Sequence, residues 1–477
     1  MALEAVIIGS GPGGAMTAAL LAEAGREVAI LERGTLRSLS SCEPFSIEEM
    51  RQKYYHGGLS AALGRPKVAY VEANCGGGGS EINSGLYHRT PPAVMEDWSR
   101  RFGVLDLDEE HCAPLFEQNE LDTSISLMPE GLVPAASLAL QRGAQALGWA
   151  SMEVPRWHSF AGGGKGVKQS MTETFIPRAV RAGAQLFDCV EVTGLSRSGG
   201  FWLVEGKRSF PGTPGEEPVT ETFSLQAASV FVCGGAISTP TLLQRNGLAK
   251  LAGRSFGMHP TVKIVARFAD DINSAGMGVP VHQVKEFSPR ISLGCSISNP
   301  SHLALAMIDV NGGTQIVRDH WRSMAVYYAM SRAGHGSIRA VPGFKDPMVR
   351  YSVGREGVAD TLDGLLKLGE CLFAAGAVEI YPSVQGAVPI RSMHDLRQFV
   401  AELTASRLAL MTIHLMGSCP MGEDPELCVA SSFGRVHGQE ELYISDASLL
   451  CTTLGVNPQG SVMLIARRNT LKYLGEL

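Results

Sequence analysis

The sequence predicts an α/β protein in which a Rossmann-like domain on a parallel sheet is joined to an α+β domain built on an antiparallel sheet. Three observations predict this. A βαβ unit with a glycine-rich turn opens the chain. Short, mostly apolar strands return at 228–232 and 442–446, and residues 259–407 change to the alternating pattern of a half-buried sheet.

In chain order, the continuous apolar strand Ala5-Val-Ile-Ile-Gly9 runs into the turn Gly9-Ser-Gly11-Pro-Gly-Gly14. An alanine and leucine helix over 15–24 follows, stopped at Gly25, and then a second strand from Glu27 to Glu32. Strands that are apolar on both faces are buried on both, which requires a parallel sheet covered by helices. Phe201–Glu205 and Thr222–Leu225 read as alternating strands, and Pro211, Pro214, Gly215 and Pro218 between them as an exposed hairpin-like connection. Val262, Ile264, Ala266 and Phe268 alternate as an antiparallel strand, and Leu362, Leu365, Leu366, Leu372 and Phe373 recur at helical spacing before Gly376. The strand Leu442–Asp446 and a helix from Pro458 to about Tyr473 return the chain to the first domain. The expected division is 1–100, 160–258 and 408–477 for the Rossmann-like first domain, with 101–159, as substrate domain or lid, and 259–407 forming the two parts of the second.

Composition narrows the function classes. The 477 residues carry 41 basic and 47 acidic side chains, net −6, so no cationic excess exists to neutralise a nucleic-acid backbone. The near balance of charge over 259–407 likewise gives no field that favours a charged substrate. Ten cysteines occur without any C-x-x-C pair, which leaves neither a zinc ribbon nor a dithiol site, and no metal is expected. The acidic, strand-like start does not resemble an export signal, and the longest uncharged stretch, 227–243, is broken by Gly234, Gly235 and Pro240. The expectation is a soluble, cytoplasmic protein with no membrane span.

Four segments carry chemistry. The turn at Gly9, Gly11 and Gly14 follows a strand and opens a helix, with Glu32 ending the next strand. Such a turn lets a pyrophosphate approach the backbone at the helix N-terminus while the acid accepts ribose hydroxyls, and it does not choose between FAD and NAD. Asn74-Cys-Gly76-Gly-Gly78-Gly79-Ser80-Glu-Ile82-Asn83 offers a run of bare backbone against which a flat ring or pyrophosphate can lie. Val232-Cys-Gly-Gly235-Ala-Ile-Ser238-Thr-Pro240 reads as a strand, a turn and a Ser- or Thr-capped helix with proline in its first turn. The last segment combines His414-Leu-Met-Gly-Ser-Cys, Ser445-Asp446-Ala447 and Gly455-Val-Asn457-Pro458. A histidine handles protons near neutral pH, and an asparagine before a helix start can hold a hydroxyl.

Taken together, these segments resemble the glucose-methanol-choline (GMC) flavoprotein oxidoreductases. The Gly76–Ser80, His414 and Asn457 elements are most similar to cholesterol oxidases, long-chain alcohol oxidases and aminosugar- or sugar-alcohol-oxidising members. The resemblance implies FAD, with Gly9, Gly11, Gly14 and Glu32 at its ADP part and Val192 at the adenine. Gly78, Gly79, Ser80 and Asn83 would lie near the flavin and pyrophosphate, Asp446 and Ala447 beside the ribityl chain, and Pro458 at the pyrimidine edge. Ile82 stands where members with covalent flavin often carry histidine, so the FAD is expected to be non-covalent. His414 and Asn457 match the catalytic pair. They imply oxidation of a small-molecule alcohol by hydride transfer to flavin N5, with His414 as base and oxygen or another acceptor completing the cycle. Two other readings share these residues: a lyase of the hydroxynitrile-lyase type on the same fold, and a nicotinamide-binding or non-catalytic Rossmann protein. His56, His88, His259 and His437 are given no chemistry.

Overall fold

The computed structural model describes residues 2–210 and 219–477; the proline cluster at Pro211, Pro214, Gly215 and Pro218 lies outside them. The first strand, β1 (Leu3–Ile8), leads into α1 (Pro12–Glu23) and β2 (Val28–Leu31). The helix starts three residues earlier than expected because Pro12, with its fixed φ, occupies the first helical position. A short strand, β3 (Val68–Tyr70), precedes a one-turn helix, α2 (Gly79–Ile82). Then come β4 (Gln185–Phe187), β5 (Val190–Ser198), β6 (Phe201–Phe210) and β7 (Val219–Val232), followed by α3 (Gly235–Arg245).

The stretch expected as two strands after the proline cluster is the single strand β7. Its first half pairs antiparallel with β6 and is largely exposed; its second half is buried between β1 and β14 (below), which explains the change of pattern at Ala228. Pro240 lies inside α3 and not in its first turn. The proline removes a donor to the carbonyl four residues back, Ala236, and the Ser418 hydroxyl replaces it at 2.6 Å.

The second sheet contains β8 (Thr261–Phe268), β9 (His282–Val284), β10 (Ile291–Cys295) and β11 (Met324–Ser331), with the long helix α4 (Gly354–Ala374) packed on one face. It continues through β12 (Ala377–Pro382) and β13 (Leu410–Thr412). The chain then re-enters the first sheet with β14 (Leu442–Ile444) and ends in α5 (Gln459–Leu474). Parallel pairs β7–β1, β1–β2, β2–β4 and β7–β14 form the centre of the first sheet, and antiparallel pairs β9–β10, β10–β11 and β11–β8 the centre of the second.

Residue membership departs from the expected division in three places. Val68–Tyr70 and Leu410–Thr412 are strands of the antiparallel sheet, paired parallel with each other. Residues expected in the lid, including Val104, Leu107, Cys112, Leu115 and Phe116, are buried in the core shared with β1, β7 and α5. That region is a helical cover of the first domain, with its helix Glu109–Asp122 tied to α5 through Arg467, whose Nε donates to Asn119 Oδ1 at 2.6 Å. No helix of the described residues is long and apolar enough to cross a membrane.

Candidate active site

A cavity of about 540 Å³ runs along the seam of the two sheets, within the usual range for small-molecule sites. Gly9, Gly11, Glu32, Gly78, Gly79, Asn83, Val192, Asp446, Ala447, Pro458, His414 and Asn457 line it together. Gly14 and Ser80 do not. A Cβ at Gly14 would stand 2.0 Å from the Gly9 carbonyl oxygen, so this glycine lets α1 close on its own turn. The Ser80 hydroxyl points away from the cavity; it donates to Gly77 O at 2.7 Å and accepts from Met171 N–H at 3.0 Å. The expected contact of Ser80 with a ligand is therefore replaced by a structural one that fastens the glycine loop.

The two glycine turns meet backbone to backbone. Gly78 adopts φ 55°, and a Cβ there would approach Gly11 Cα to 2.8 Å. Ser10, which sequence reasoning passed over, joins the turns: its hydroxyl accepts from Gly77 N–H at 3.0 Å and donates to Glu32 Oε2 at 2.7 Å. Glu32 also accepts from Ser10 N–H at 2.9 Å and Gly34 N–H at 2.7 Å, which leaves one of its roughly four lone-pair sites facing the cavity. Asp446 is spent on the fold. It accepts from Gly235 N–H at 2.8 Å, Thr239 Oγ1 at 2.5 Å and Ser448 N–H at 2.7 Å, so its carboxylate anchors α3 and only its outer surface lines the cavity. Asn83 is likewise held, by Gln459 at 2.5 Å and Gly85 N–H at 3.0 Å. Bare backbone, two helix N-termini and one available carboxylate lone pair fit a dinucleotide: anionic pyrophosphate needs N–H groups, and ribose needs an acceptor.

The other end of the cavity holds the imidazole. His259 lies two residues before β8 and His414 two residues after β13, and these strands meet through the pair Thr261 and Met411, so the register itself brings the histidines together. Their rings are perpendicular at 89°, with Nδ1 to Nδ1 at 3.0 Å. His259 is fully buried and its Nε2 accepts the Gly455 N–H at 3.0 Å. A backbone N–H only donates, so Nε2 of His259 carries no proton and Nδ1 does. That proton is donated to Nδ1 of His414, and a neutral His414 consequently carries its own proton on Nε2. Burial lowers His414 to about 4 and His259 well below the ordinary histidine value, so both rings are neutral at pH 7.

Nε2 of His414 lies 3.3 Å from the Asn457 amide, whose other end is 3.3 Å from the Gln283 amide; Gln283 is 3.0 Å from the Tyr328 hydroxyl. A half-turn of each amide matches donors to acceptors throughout. Asn457 Oδ1 then receives Nε2–H, and Gln283 Oε1, otherwise buried without a partner, receives both Asn457 Nδ2 and the Tyr328 hydroxyl. In this tautomer the neutral ring presents a proton at the nitrogen facing Asn457, and its lone pair is turned to His259. His259, Gln283 and Tyr328 were missed from the sequence because only strand register places them here.

The comparisons with known proteins bear on this geometry. Residues 50–261 and 336–466 match the N- and C-terminal models of GMC oxidoreductase, and residues 2–41 match an FAD binding domain. A GMC-type oxidoreductase of Sinorhizobium fredii is 33% identical over 98% of this chain and 93% of its own. The long-chain-alcohol oxidase FAO4A of Arabidopsis thaliana is 26% identical over 97% of this chain and 67% of its own, and a cholesterol oxidase of Mycobacterium tuberculosis 22% over 98% and 90%. Among solved structures, pyridoxine 4-oxidase from Mesorbium loti covers 99% of both chains with TM-score 0.71 at 15% identity. A formate oxidase covers 99% of this chain and 98% of its own with TM-score 0.73 at 13% identity, a likeness of fold. The glycine turns that meet across the cavity thus belong to an FAD-dependent enzyme, and the chain is a member of the GMC oxidoreductase family.

Proposed function

We propose that this chain oxidises an alcohol, CH–OH, to the aldehyde or ketone with non-covalently held FAD. The observation that carries the reading is one continuous cavity with paired glycine turns at one end and the 3.3 Å contact of His414 with Asn457 at the other. The alcohol oxidases and cholesterol oxidase among its relatives support the substrate class. Gly9, Gly11, Glu32 and Val192 hold the adenosine side, the bare backbone at Gly78 and Gly79 the pyrophosphate, and Asp446, Ala447 and Pro458 the rest of the cofactor. Ile82 lines the same wall and offers no nucleophile for a covalent link. FAD, when bound, accepts the two electrons and the hydrogen lost by the carbinol carbon.

The chain's own residues orient the alcohol. The hydroxyl oxygen accepts from Nε2–H of His414 while its proton is donated to Asn457 Oδ1, so the substrate inserts into the contact that the pair makes alone. As the carbon is oxidised the oxygen gains negative character, and a donor already aimed at it stabilises that charge. The hydroxyl proton passes to solvent water as the hydrogen and two electrons leave the carbinol carbon, so the alcohol loses two hydrogens in all. The N-terminus of the sixteen-residue helix α5 places positive potential beside Pro458, where it favours negative charge. Oxygen or another acceptor completes the cycle.

The test is anaerobic mixing of the holoenzyme with a panel of primary and secondary alcohols while the flavin absorbance is followed. Bleaching by at least one alcohol supports the reading. Unchanged absorbance with every alcohol, together with cleavage of a cyanohydrin, replaces it with lyase chemistry.

A further inference from the structure

Behind the cavity wall that adjoins Asn457 sits a buried guanidinium with no anionic partner. The wall is the stretch 83–85, all of which lines the cavity. The Asn83 amide, donating to Gln459 at 2.5 Å, joins it to the first residue of α5, two positions beyond Asn457. Arg156 stands on the far side of this wall. Its Nη2 donates to the Ser84 carbonyl at 3.1 Å and to Nε2 of His158 at 3.0 Å, and the residue is 4% exposed. The strand Arg156–Ser159 is held to the wall by a bridge between Leu86 and Arg156 and by the Trp157 N–H, which donates to Gly85 O at 2.8 Å. Gly85 adopts φ 75°, and a Cβ there would stand 3.2 Å from the His158 ring, so glycine lets this cluster press against the wall.

A charged side chain is almost never fully buried unless it is paired. Arg156 has no such partner among the described residues. No carboxylate acts on it, its Nε has no acceptor, and Nε2 of His158 can only accept from it, which leaves that imidazole neutral with its proton on a partnerless Nδ1. Burial lowers the guanidinium to about 10, so it keeps its charge at neutral pH. The neighbouring cation is different. Lys168, in register with His158, donates to Glu81 O at 2.6 Å and Asn83 O at 3.0 Å, and the carboxylates of Glu81 and Glu49 act on it in return. The unbalanced charge is that of Arg156, and its desolvation is offset only when negative charge comes close.

The peptide between Ser84 and Gly85 carries its influence to the cavity. The carbonyl accepts from Arg156, the N–H donates to Asn83 Oδ1 at 3.0 Å, and Asn83 keeps one amide N–H beyond the one given to Gln459. Hydrogen bonds in series polarise one another, so the cation strengthens that remaining donor.

We propose that Arg156 is a positioning residue for the redox step: acting through Ser84 and Asn83, its unpaired charge raises the reduction potential of the bound flavin. A hydride brings two electrons and one proton, so one net negative charge enters the cavity on reduction, and a fixed cation behind the wall favours the reduced state over the oxidised one. At an effective dielectric of about 20, unit charges roughly 7 to 12 Å apart shift such an equilibrium by about ten- to fiftyfold. This role needs FAD but no particular alcohol, so it goes beyond the alcohol reading and can be measured without substrate.

The experiment reads the midpoint potential of the holoenzyme flavin against reference dyes, and the Kd of sulfite, whose addition to oxidised flavin likewise brings negative charge into the cavity. In Arg156→Gln the reduction equilibrium is expected to fall about ten- to fiftyfold, which is about 30–50 mV for a two-electron couple, and the sulfite Kd to rise by a similar factor. Arg156→Lys keeps the charge and recovers most of both, which lost packing alone would not allow. Ser126 is half-buried and in register with Arg156 on the neighbouring strand, so Ser126→Asp sets a carboxylate beside the guanidinium without removing it. That variant is expected to shift both readings in the same direction as Arg156→Gln. A reduction equilibrium and a sulfite Kd within about twofold of wild type in flavin-loaded Arg156→Gln overturn the proposal. Equal losses in the Gln and Lys variants assign the effect to packing and overturn it as well. Where Arg156→Gln does not retain flavin, Ser126→Asp decides alone: a lowered potential with weaker sulfite binding upholds the role, and unchanged values remove it.

Discussion

Replacing His414 by glutamine separates a hydrogen-bond donor from a base. In the structure the neutral ring presents Nε2–H toward Asn457 because Gly455 N–H fixes the proton of His259, which in turn occupies Nδ1 of His414. A glutamine amide can donate to the alcohol oxygen but cannot accept its proton. A hydrogen bond to an oxygen gaining charge contributes about 1.5–3 kcal/mol, or roughly ten- to 150-fold in rate at 1.4 kcal/mol per decade. His414→Gln retains a donor at comparable reach and is expected to lose only about two- to fivefold through imperfect placement. His414→Ala removes the donor outright and is expected to lose the full amount, roughly ten- to 150-fold. Loss of a general base would instead cost about 10²–10⁴ in both variants alike. The assay is stopped-flow reduction of the flavin under anaerobic conditions, with the flavin-to-protein ratio confirming that the cofactor is retained. Equal rates for the Gln and Ala variants would refute the tautomer argument and return the base role to His414.

Other consequences follow from the same geometry. Gly13→Ala places a Cβ 1.8 Å from the Ser445 carbonyl oxygen, so α1 must lift from the β14 loop at a cost of about 1–3 kcal/mol; a lower melting temperature and weaker FAD retention are expected, and full occupancy with an unchanged transition refutes it. Asp446→Asn keeps the shape but replaces one of two accepting oxygens by a donor facing hydroxyl and N–H groups, and is expected to destabilise by about 1–3 kcal/mol in urea unfolding. Acid or heat denaturation should release the flavin into the supernatant; a coloured pellet after washing shows a covalent link. Burial lowers His414 to about 4, His302 to about 4 and His158 to about 3, with His259 and His88 also lowered. The unfolded chain, with ordinary histidines near 6.5, therefore binds protons that the folded chain refuses as pH falls from about 6.5 toward 4. Stability should drop over that window at about 1.4 kcal/mol per pH unit for each histidine and be unaffected by them above pH 7. A flat melting temperature between pH 7 and 4.5 would contradict the burial of these rings.

The parts of the site that the sequence announces are those whose chemistry is local. Gly9, Gly11 and Glu32 sit inside one βαβ unit, where the backbone turn, the helix start and the end of the next strand are fixed by about thirty consecutive residues, and the structure brings all three to one cavity. Ser80 shows the limit of that reasoning. A hydroxyl beside a glycine run looks like a ligand group, but the turn at Gly78 rotates it inward, where the Gly77 carbonyl and the Met171 N–H engage it. Pro240 misleads for a related reason. Its position suggests a helix start, but a serine 178 residues away in sequence satisfies the carbonyl it frees, so the helix begins earlier. The strands Val68–Tyr70 and Leu410–Thr412 are only three residues long, too short for a period of two to register against their surroundings.

What no single stretch could reveal is the part of the site written in register. His259 precedes an ordinary alternating strand, and a lone histidine there reads as packing; its meaning comes from Thr261 pairing with Met411 and from the Gly455 N–H that reaches it across the seam. Gln283, Tyr328 and Lys263 lie on three strands scattered over 65 positions of chain in other respects unremarkable, and antiparallel pairing aligns them in one row. A shift of one residue at any of these pairings would send the row to the opposite face, beneath the long helix, and leave apolar side chains against His414 and Asn457. The flavin fold is thus set by glycines that are close in sequence, whereas the surroundings of His414 and Asn457 are set by the alignment of the second sheet.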